Sequence, residues 1–250
     1  MFVTKYSASG NDFVILHSFK KKDRSELARK LCNRHEGIGA DGMVVVLPHS
    51  QYDFEWEFYN SDGSIALMCG NASRAVAHYA VSQDLADATM QFLTGAGVIK
   101  ASVEKDFVTS NFPLAKVIEI AIQEGTQQWS LIDTGVPHLV SFVESIENFN
   151  LKQAKALREK YNANVNIWTS SGDEIFVRTY ERGVEDETLA CGTGMAACFL
   201  QGIAMNKIPT KIAAIPKSGQ KLYFEFNGGA IRFGGKVKAL FTTVVDKDFG

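Results

Sequence analysis

The chain has 250 residues, 46% of them hydrophobic and 22% charged, with a formal net charge of −2. That length suffices for one large domain or two of about half the size, each with its own core. The balance is that of a globular protein. There is no basic stripe, and the lysines at 20–22 read as a solvated turn, so no nucleic-acid partner is expected. No stretch is long and apolar enough for a bilayer, and the opening MFVTKYSASGNDFVIL is not a charged leader with a continuous apolar run. No membrane association and a cytoplasmic location are therefore the expectation, in which Cys32, Cys69, Cys191 and Cys198 are free thiols. The CxxH at Cys32–His35 lacks a second ligand pair, so no metal is expected.

In chain order, Phe2–Lys5, Phe13–Leu16, Met43–Leu47, Phe54–Tyr59, Gln91–Leu93, Val98–Val103 and Phe107–Asn111 read as strands, rich in β-branched and aromatic residues between turn residues. Ser25–Arg34 reads as a helix capped by Ser25, with Leu27 and Leu31 on one face, and Asn71–Ser82 as a second that turns Val76, Ala77 and Ala80 inward. The second half repeats this order. Trp129–Asp133, His138–Val143, Val165–Trp168, Ile175–Tyr180, Ile212–Ile215, Lys221–Phe226 and Ala230–Phe233 read as strands, and Leu151–Tyr161 and Gly194–Met205 as helices. Strands outnumber helices and short turns join most of them. This argues against a doubly wound parallel sheet and for an α+β fold with antiparallel sheets wrapped around a helix.

Phe54–Ala77 can be laid on Ile175–Ala197. In each, a strand reaches a tyrosine, a polar loop follows, and Cys-Gly opens an alanine-rich helix. A repeat of this length half a chain apart predicts two similar domains, 1–115 and 116–250. The boundary is expected between Pro113 and Thr126, and the last strand is a candidate to return to the first domain. The turns Cys69-Gly70-Asn71 and Cys191-Gly192-Thr193-Gly194 each stand at a helix N-terminus. There the dipole raises the thiolate fraction and the backbone N–H groups can hold a carboxylate. Inverting a stereocentre beside a carboxylate requires a base on one face and an acid on the other, which two such thiols can supply. The residues suggest no cofactor for this chemistry.

Along nearly the whole chain, the blocks SGNDF (9–13), GIGADG (37–42), FYNSDGS (58–64), MCGNASR (68–74), PH (137–138), NVNIW (164–168), YERG (180–183) and ETLACGTG (187–194) resemble diaminopimelate epimerase. The resemblance implies a fold of two similar domains with the active site in the cleft. It also implies interconversion of LL- and meso-diaminopimelate for lysine and peptidoglycan synthesis, with no cofactor. Residue by residue, it implies acid/base roles for Cys69 and Cys191. Substrate contacts fall to Asn11, Asn60, Asn166, Glu181 and Arg182, helix-end carboxylate sites to Gly70, Asn71, Gly192 and Thr193, and a supporting place near the thiols to His138. A homodimer is the candidate assembly. Two positions depart from the family pattern: Val136 stands where asparagine is common, and Gly42 where some members have glutamine. Two other readings stay open on sequence: a proline or hydroxyproline racemase, which would not need Glu181 and Arg182, and a small-molecule-binding redox sensor with a Cys69–Cys191 disulfide.

Overall fold

The computed structural model describes residues 1–111, 116–147 and 149–246. The chain forms two compact units, one from Met1–Asn111 with Gly234–Gly250, the other from Phe112–Phe233. The expected boundary at 115/116 lies at residues 112–115, outside the described ones.

The first unit contains β1 (Phe2–Ala8), β2 (Asn11–His17), α1 (Ser25–Cys32), β3 (Gly42–Leu47), β4 (Phe54–Asn60), α2 (Gly70–Ser82), β5 (Thr89–Thr94), β6 (Gly97–Glu104) and β7 (Phe107–Asn111). The second contains β8 (Lys116–Glu124), β9 (Gln127–Asp133), β10 (Pro137–Phe142), α3 (Leu151–Tyr161), β11 (Asn164–Ser171), β12 (Glu174–Glu181), the short β13 (Asp186–Glu187), α4 (Gly192–Ala204), β14 (Lys211–Ile215) and β15 (Leu222–Asn227). The long β16 (Ala230–Val244) gives its first residues to the second unit and the rest to the first. In the first unit the strands run β1-β2-β3-β4-β5-β6-β7-β16, and β16 pairs back with β1 to close a barrel. In the second the order is β8-β9-β10-β11-β12-β14-β15-β16. The element succession β1 to β7 is thus repeated by β9 to β16, and β8 lies beside β9 as the end of β16 lies beside β1.

The sheets are not purely antiparallel. β2–β3, β4–β5, β10–β11 and β12–β14 pair in parallel, because each of these pairs is joined by a crossover carrying a helix. Those helices occupy two environments. α2 packs against β1, β2, β3, β6 and β7, and α4 against β9, β10, β11 and β12. Small residues let α2 fit inside: Ala72, Ala75, Ala77 and Ala80 meet Tyr6, Phe13, Phe58 and Phe92. On the other face of β2 and β3, Leu27 and Leu31 of α1 cover Val14, Leu16, Met43 and Val45. This double cover explains why GMVVVL is buried at every position. In the second unit, Ala196, Ala197 and Phe199 of α4 meet Trp168, Val177 and Phe224, while α3 sets Ala154 and Leu157 over Leu139 and Val165.

Several expected boundaries shift. Ser25 is the first residue of α1 rather than its cap, and Asp23 accepts from its backbone N–H and hydroxyl at 2.9 and 2.7 Å. That helix ends at Cys32, and Gly37 to Ala40 turn back onto it: the N–H groups of Ile38 and Gly39 donate to the Leu31 carbonyl and that of Ala40 to Cys32. α2 and α4 begin directly after Cys69 and Cys191, earlier than the sequence suggested. β8 occupies much of the segment read as a weakly patterned boundary.

Candidate active-site residues

In the first unit the chain leaves β4, turns through Ser61–Met68 and enters α2 with Cys69 as the last extended residue, φ −148° and ψ 120°. The Ser73 N–H donates to the Cys69 carbonyl at 2.9 Å and the Ser73 hydroxyl to the Gly70 carbonyl at 2.8 Å. No acidic residue lies in the first turn, so nothing there offsets the positive end of the helix dipole beside the half-buried thiol. Asn71, 3% exposed, donates from Nδ2 to Oδ1 of Asn11 at 2.7 Å. Asn11 in turn donates to Asp41 at 2.9 Å. The helix therefore brings Cys69, Asn71 and Asn11 into one group. Asn60 is exposed at the end of β4, where its side chain donates to the Ser64 hydroxyl at 2.9 Å. It is paired across the ladder with Gly42. A Cβ at Gly42 would lie 2.7 Å from Cε2 of Phe58 and 2.8 Å from the Tyr59 carbonyl, so Phe58 fills the space a side chain there would need.

Beside this group stands an ionic cluster. Lys5 pairs with Asp12 at 2.8 Å, and Arg34 with Asp12 and Asp41 at 2.9 and 2.8 Å. Burial alone would raise the Asp12 carboxyl, but the hydrogen bonds from Arg34 and Lys5 bring it down to about 2.

In the second unit, Cys191 takes the same place before α4, φ −125° and ψ 105°, 7% exposed, with no acidic residue in the first turn. Its sulphur is 3.4 Å from the Thr193 hydroxyl. The Thr134 hydroxyl donates to the Thr193 carbonyl at 3.0 Å, tying the first turn of α4 to the loop before β10. The approach to Cys191 is held by charge pairs. Glu187 receives Arg178 and Lys217, and Glu185 pairs with Arg158 at 2.6 Å.

Behind α4 lies a buried polar group. Asn166 donates to Nδ1 of His138 at 3.0 Å and accepts from the Thr179 hydroxyl at 2.8 Å, and Asn166 and His138 are 0% exposed. Burial pushes His138 down to about 3, so the ring is neutral. The Asn166 amide sets its proton on Nε2. Gly194 touches this group: a Cβ there would sit 2.3 Å from Oδ1 of Asn166. Asn164, which the sequence reading did not single out, accepts from the Arg182 backbone N–H at 2.8 Å, and the Arg182 guanidinium donates to the Asn162 carbonyl at 2.8 Å. Glu181 is half-buried at the end of β12, paired with Asp186. Cys191, Gly192, Thr193, His138 and Asn166 thus form one neighbourhood, with Glu181 and Arg182 on the strand end beside Asn164.

Sequence reasoning also passed over Arg74, inside the MCGNASR block. It is 0% exposed and donates to Asn71 and Ser9. The available signal was a single cation among small residues in the first turns of a buried helix. Among the described residues, no helix is long and apolar enough to cross a membrane.

The model of the family described as diaminopimelate epimerase matches residues 3–117 and 130–232. A diaminopimelate epimerase of a Nitratiruptor species is 58% identical over 244 residues, covering 97% of this chain and 98% of that protein. One from Helicobacter pylori is 46% identical, covering 98% and 96%. Among solved structures, a probable proline racemase from Agrobacterium radiobacter K84 superposes with a TM-score of 0.79 at 15% identity, covering 99% of this chain and 93% of that one. A phenazine biosynthesis protein of the PhzF family from Bacillus anthracis superposes with a TM-score of 0.72 at 13% identity, covering 98% and 99%. At such identities these two likenesses establish the fold, whereas the sequence matches establish kinship: the chain belongs to the diaminopimelate epimerase family.

Proposed function

We propose that this protein is a cofactor-independent isomerase that interconverts LL- and meso-diaminopimelate, with Cys69 and Cys191 as its acid/base pair. The observation that carries the reading is the equivalence of the two cysteines: each is the last extended residue before the central helix of its unit, followed by glycine. In the reaction, one cysteine as thiolate takes the α-proton from one face of the substrate carbon. The C–H electron pair passes into the adjacent carboxylate, and the other cysteine, as thiol, protonates the opposite face. The reverse reaction exchanges the roles. The first-turn N–H groups at Gly70, Asn71, Gly192 and Thr193 are suited to an α-carboxylate whose charge grows as the proton leaves. Arg182 is suited to the distal carboxylate by paired hydrogen bonds, Glu181 and the Asn60 amide oxygen to the ammonium groups, and the remaining amide N–H of Asn11 to a carboxylate oxygen. Asn166 contributes by supporting His138, since its own amide is already engaged.

Two narrower readings accompany this one. A cytoplasmic setting suits an enzyme whose two thiols must stay reduced. A homodimer is proposed through the outer ladder of β1 and β16, where Phe2, Phe241 and Val244 are 73%, 50% and 63% exposed. Phe241→Lys should then yield a monomer in sedimentation, and an unchanged mass would refute that interface.

The deciding experiment is incubation with LL-diaminopimelate in deuterated water. The expected result is appearance of the meso isomer with deuterium at the inverted carbon. Racemisation of proline with no exchange into diaminopimelate would move the activity to the racemases, and exchange into neither would leave a binding protein.

A further inference from the structure

Arg74, one turn into α2, is a guanidinium with no exposed surface, and its Nη2 donates to Asn71 Oδ1 at 2.7 Å and to the Ser9 hydroxyl at 2.8 Å. Beyond it, Asn71 donates to Asn11 and Asn11 donates to Oδ2 of Asp41. Asp41 is itself fixed by Arg34 through Oδ1 and by the Asp12 N–H through Oδ2. The chain of bonds therefore runs from a group with only donors to a group with only acceptors. A primary amide between neutral partners can turn over. Here turning either amide would set oxygen against oxygen or nitrogen against nitrogen at both ends. Both amides are held with their oxygens toward Arg74 and their nitrogens toward Asp41, and each keeps one N–H for a ligand.

The same contacts bind the loop to the helix. Ser9 and Gly10 take left-handed backbone, φ 51° and 94°, at the turn that delivers Asn11. Arg74 ties that turn to the first turn of α2. Its charge persists, since burial lowers the guanidinium only to about 10, and Cys69 is the partner that raises it. In the second unit no arginine stands at the equivalent position. Counting from Cys191, the position of Arg74 is Ala196, and the buried ring behind α4 is the neutral His138.

We propose that Arg74 is a positioning residue for the reaction, fixing the direction of the Asn71 and Asn11 amides and holding a permanent positive charge behind Cys69. The inference rests on the reading of Cys69 and Asn11 given above. Other titratable groups on the strands against α2 are otherwise engaged. Lys5 pairs with Asp12, Tyr6 and His17 bond His78 and Tyr79 in the later turns of α2, and Lys100 and Glu104 are exposed on β6.

The test compares wild type with Arg74→Lys and Arg74→Met. The readouts are kcat and KM for diaminopimelate, and the pH dependence of iodoacetamide labelling at Cys69 and Cys191, resolved by peptide mapping. Arg74→Met should move the Cys69 labelling profile to higher pH by about one unit or more while leaving that of Cys191 in place. Arg74→Lys keeps the charge but not the two-way bond, so the Cys69 profile should stay while KM rises about tenfold. If Arg74→Met fails to fold, the lysine variant decides alone, and an unchanged KM overturns the proposal. An unmoved Cys69 profile in folded Arg74→Met, or a shift of both cysteines together, also overturns it. The labelling profiles need no turnover, so wild-type failure to exchange diaminopimelate protons would refute the assigned activity while the Arg74 effect is still read.

Discussion

Nδ2 of Asn166 stands 3.0 Å from Nδ1 of His138, on parallel strands β11 and β10, with both side chains shut off from solvent. A neutral ring in that position makes stability depend on pH. Burial holds the folded-state value at about 3, whereas an unfolded histidine titrates near ~6.5. Between these values the unfolded chain takes a proton that the folded chain refuses. The stabilising contribution is thus complete above about pH 6.5 and is lost as pH falls toward 3. The unfolding free energy from urea titration should drop across this window, by at most about 1.4 kcal/mol per pH unit for one proton. His138→Gln should flatten the slope above about pH 5, where the Asp12 carboxyl, held at about 2 in the fold, is ionised in the unfolded chain as well and adds no slope. An identical slope in the variant would mean that His138 is not the group responsible.

Cys69→Ser and Cys191→Ser should each reduce epimerisation by several orders of magnitude, because a hydroxyl is too weak an acid to replace either thiol. The other two cysteines should be inert, since both are buried. Burial pushes Cys32 up to about 12 and raises Cys198 as well. Their serine variants should keep normal turnover, and neither should react with iodoacetamide in the native protein at pH 8. Labelling of Cys32 or Cys198 at a rate comparable to Cys69, followed by mass spectrometry, would contradict this picture.

Gly194→Ala should lower both Tm and activity. The new methyl would lie 2.3 Å from Asn166 Oδ1, and that amide cannot retreat without releasing Thr179 and His138. Overpacking of this kind costs about 1–3 kcal/mol. The start of α4 also carries Cys191, so kcat should fall further than the loss of folded protein explains. A variant with unchanged Tm would show that Asn166 does not fix the start of this helix.

Arg182→Lys should raise KM for diaminopimelate by tenfold or so with a smaller change in kcat, since an ammonium cannot form a paired bond to a carboxylate. The backbone of residue 182 stays tied to Asn164 Oδ1 in the variant, so the fold should be unaffected. Equal KM values for both proteins would remove Arg182 from substrate binding.

The parts of this molecule that could be read from sequence are those whose chemistry is local. Cys-Gly before an alanine-rich run announces a helix start, and Cys69 and Cys191 are found there. β8 was missed because its VIEIAI run is mostly exposed, with Val117, Ile118 and Ile120 all at the surface, so no inside–outside alternation marks it. Arg74 was passed over because a lone arginine in a helix ordinarily lies in water. Its hydrogen-bond partners are Ser9, far away in sequence, and an asparagine that also bonds Asn11. Gly42 stood out as a departure, but the reason for it is the Phe58 ring across the ladder, a contact no local pattern encodes.

The barrel of the first unit is completed by β16: Phe2 meets Val244, and the amino group of Met1 donates to the Val245 carbonyl at 2.7 Å. During synthesis the segments of the second unit emerge without interruption, while the first seven strands wait for residues 234–244. Until those arrive, β1 has an unpaired edge and the barrel around α2 stays open. Joining strands so distant in sequence carries a loop-closure penalty that nearby hairpins do not face. The barrel around Asn11, Asn71 and Arg74 is therefore closed only when β16 pairs with β1, the strand pairing of longest sequence separation in the first unit.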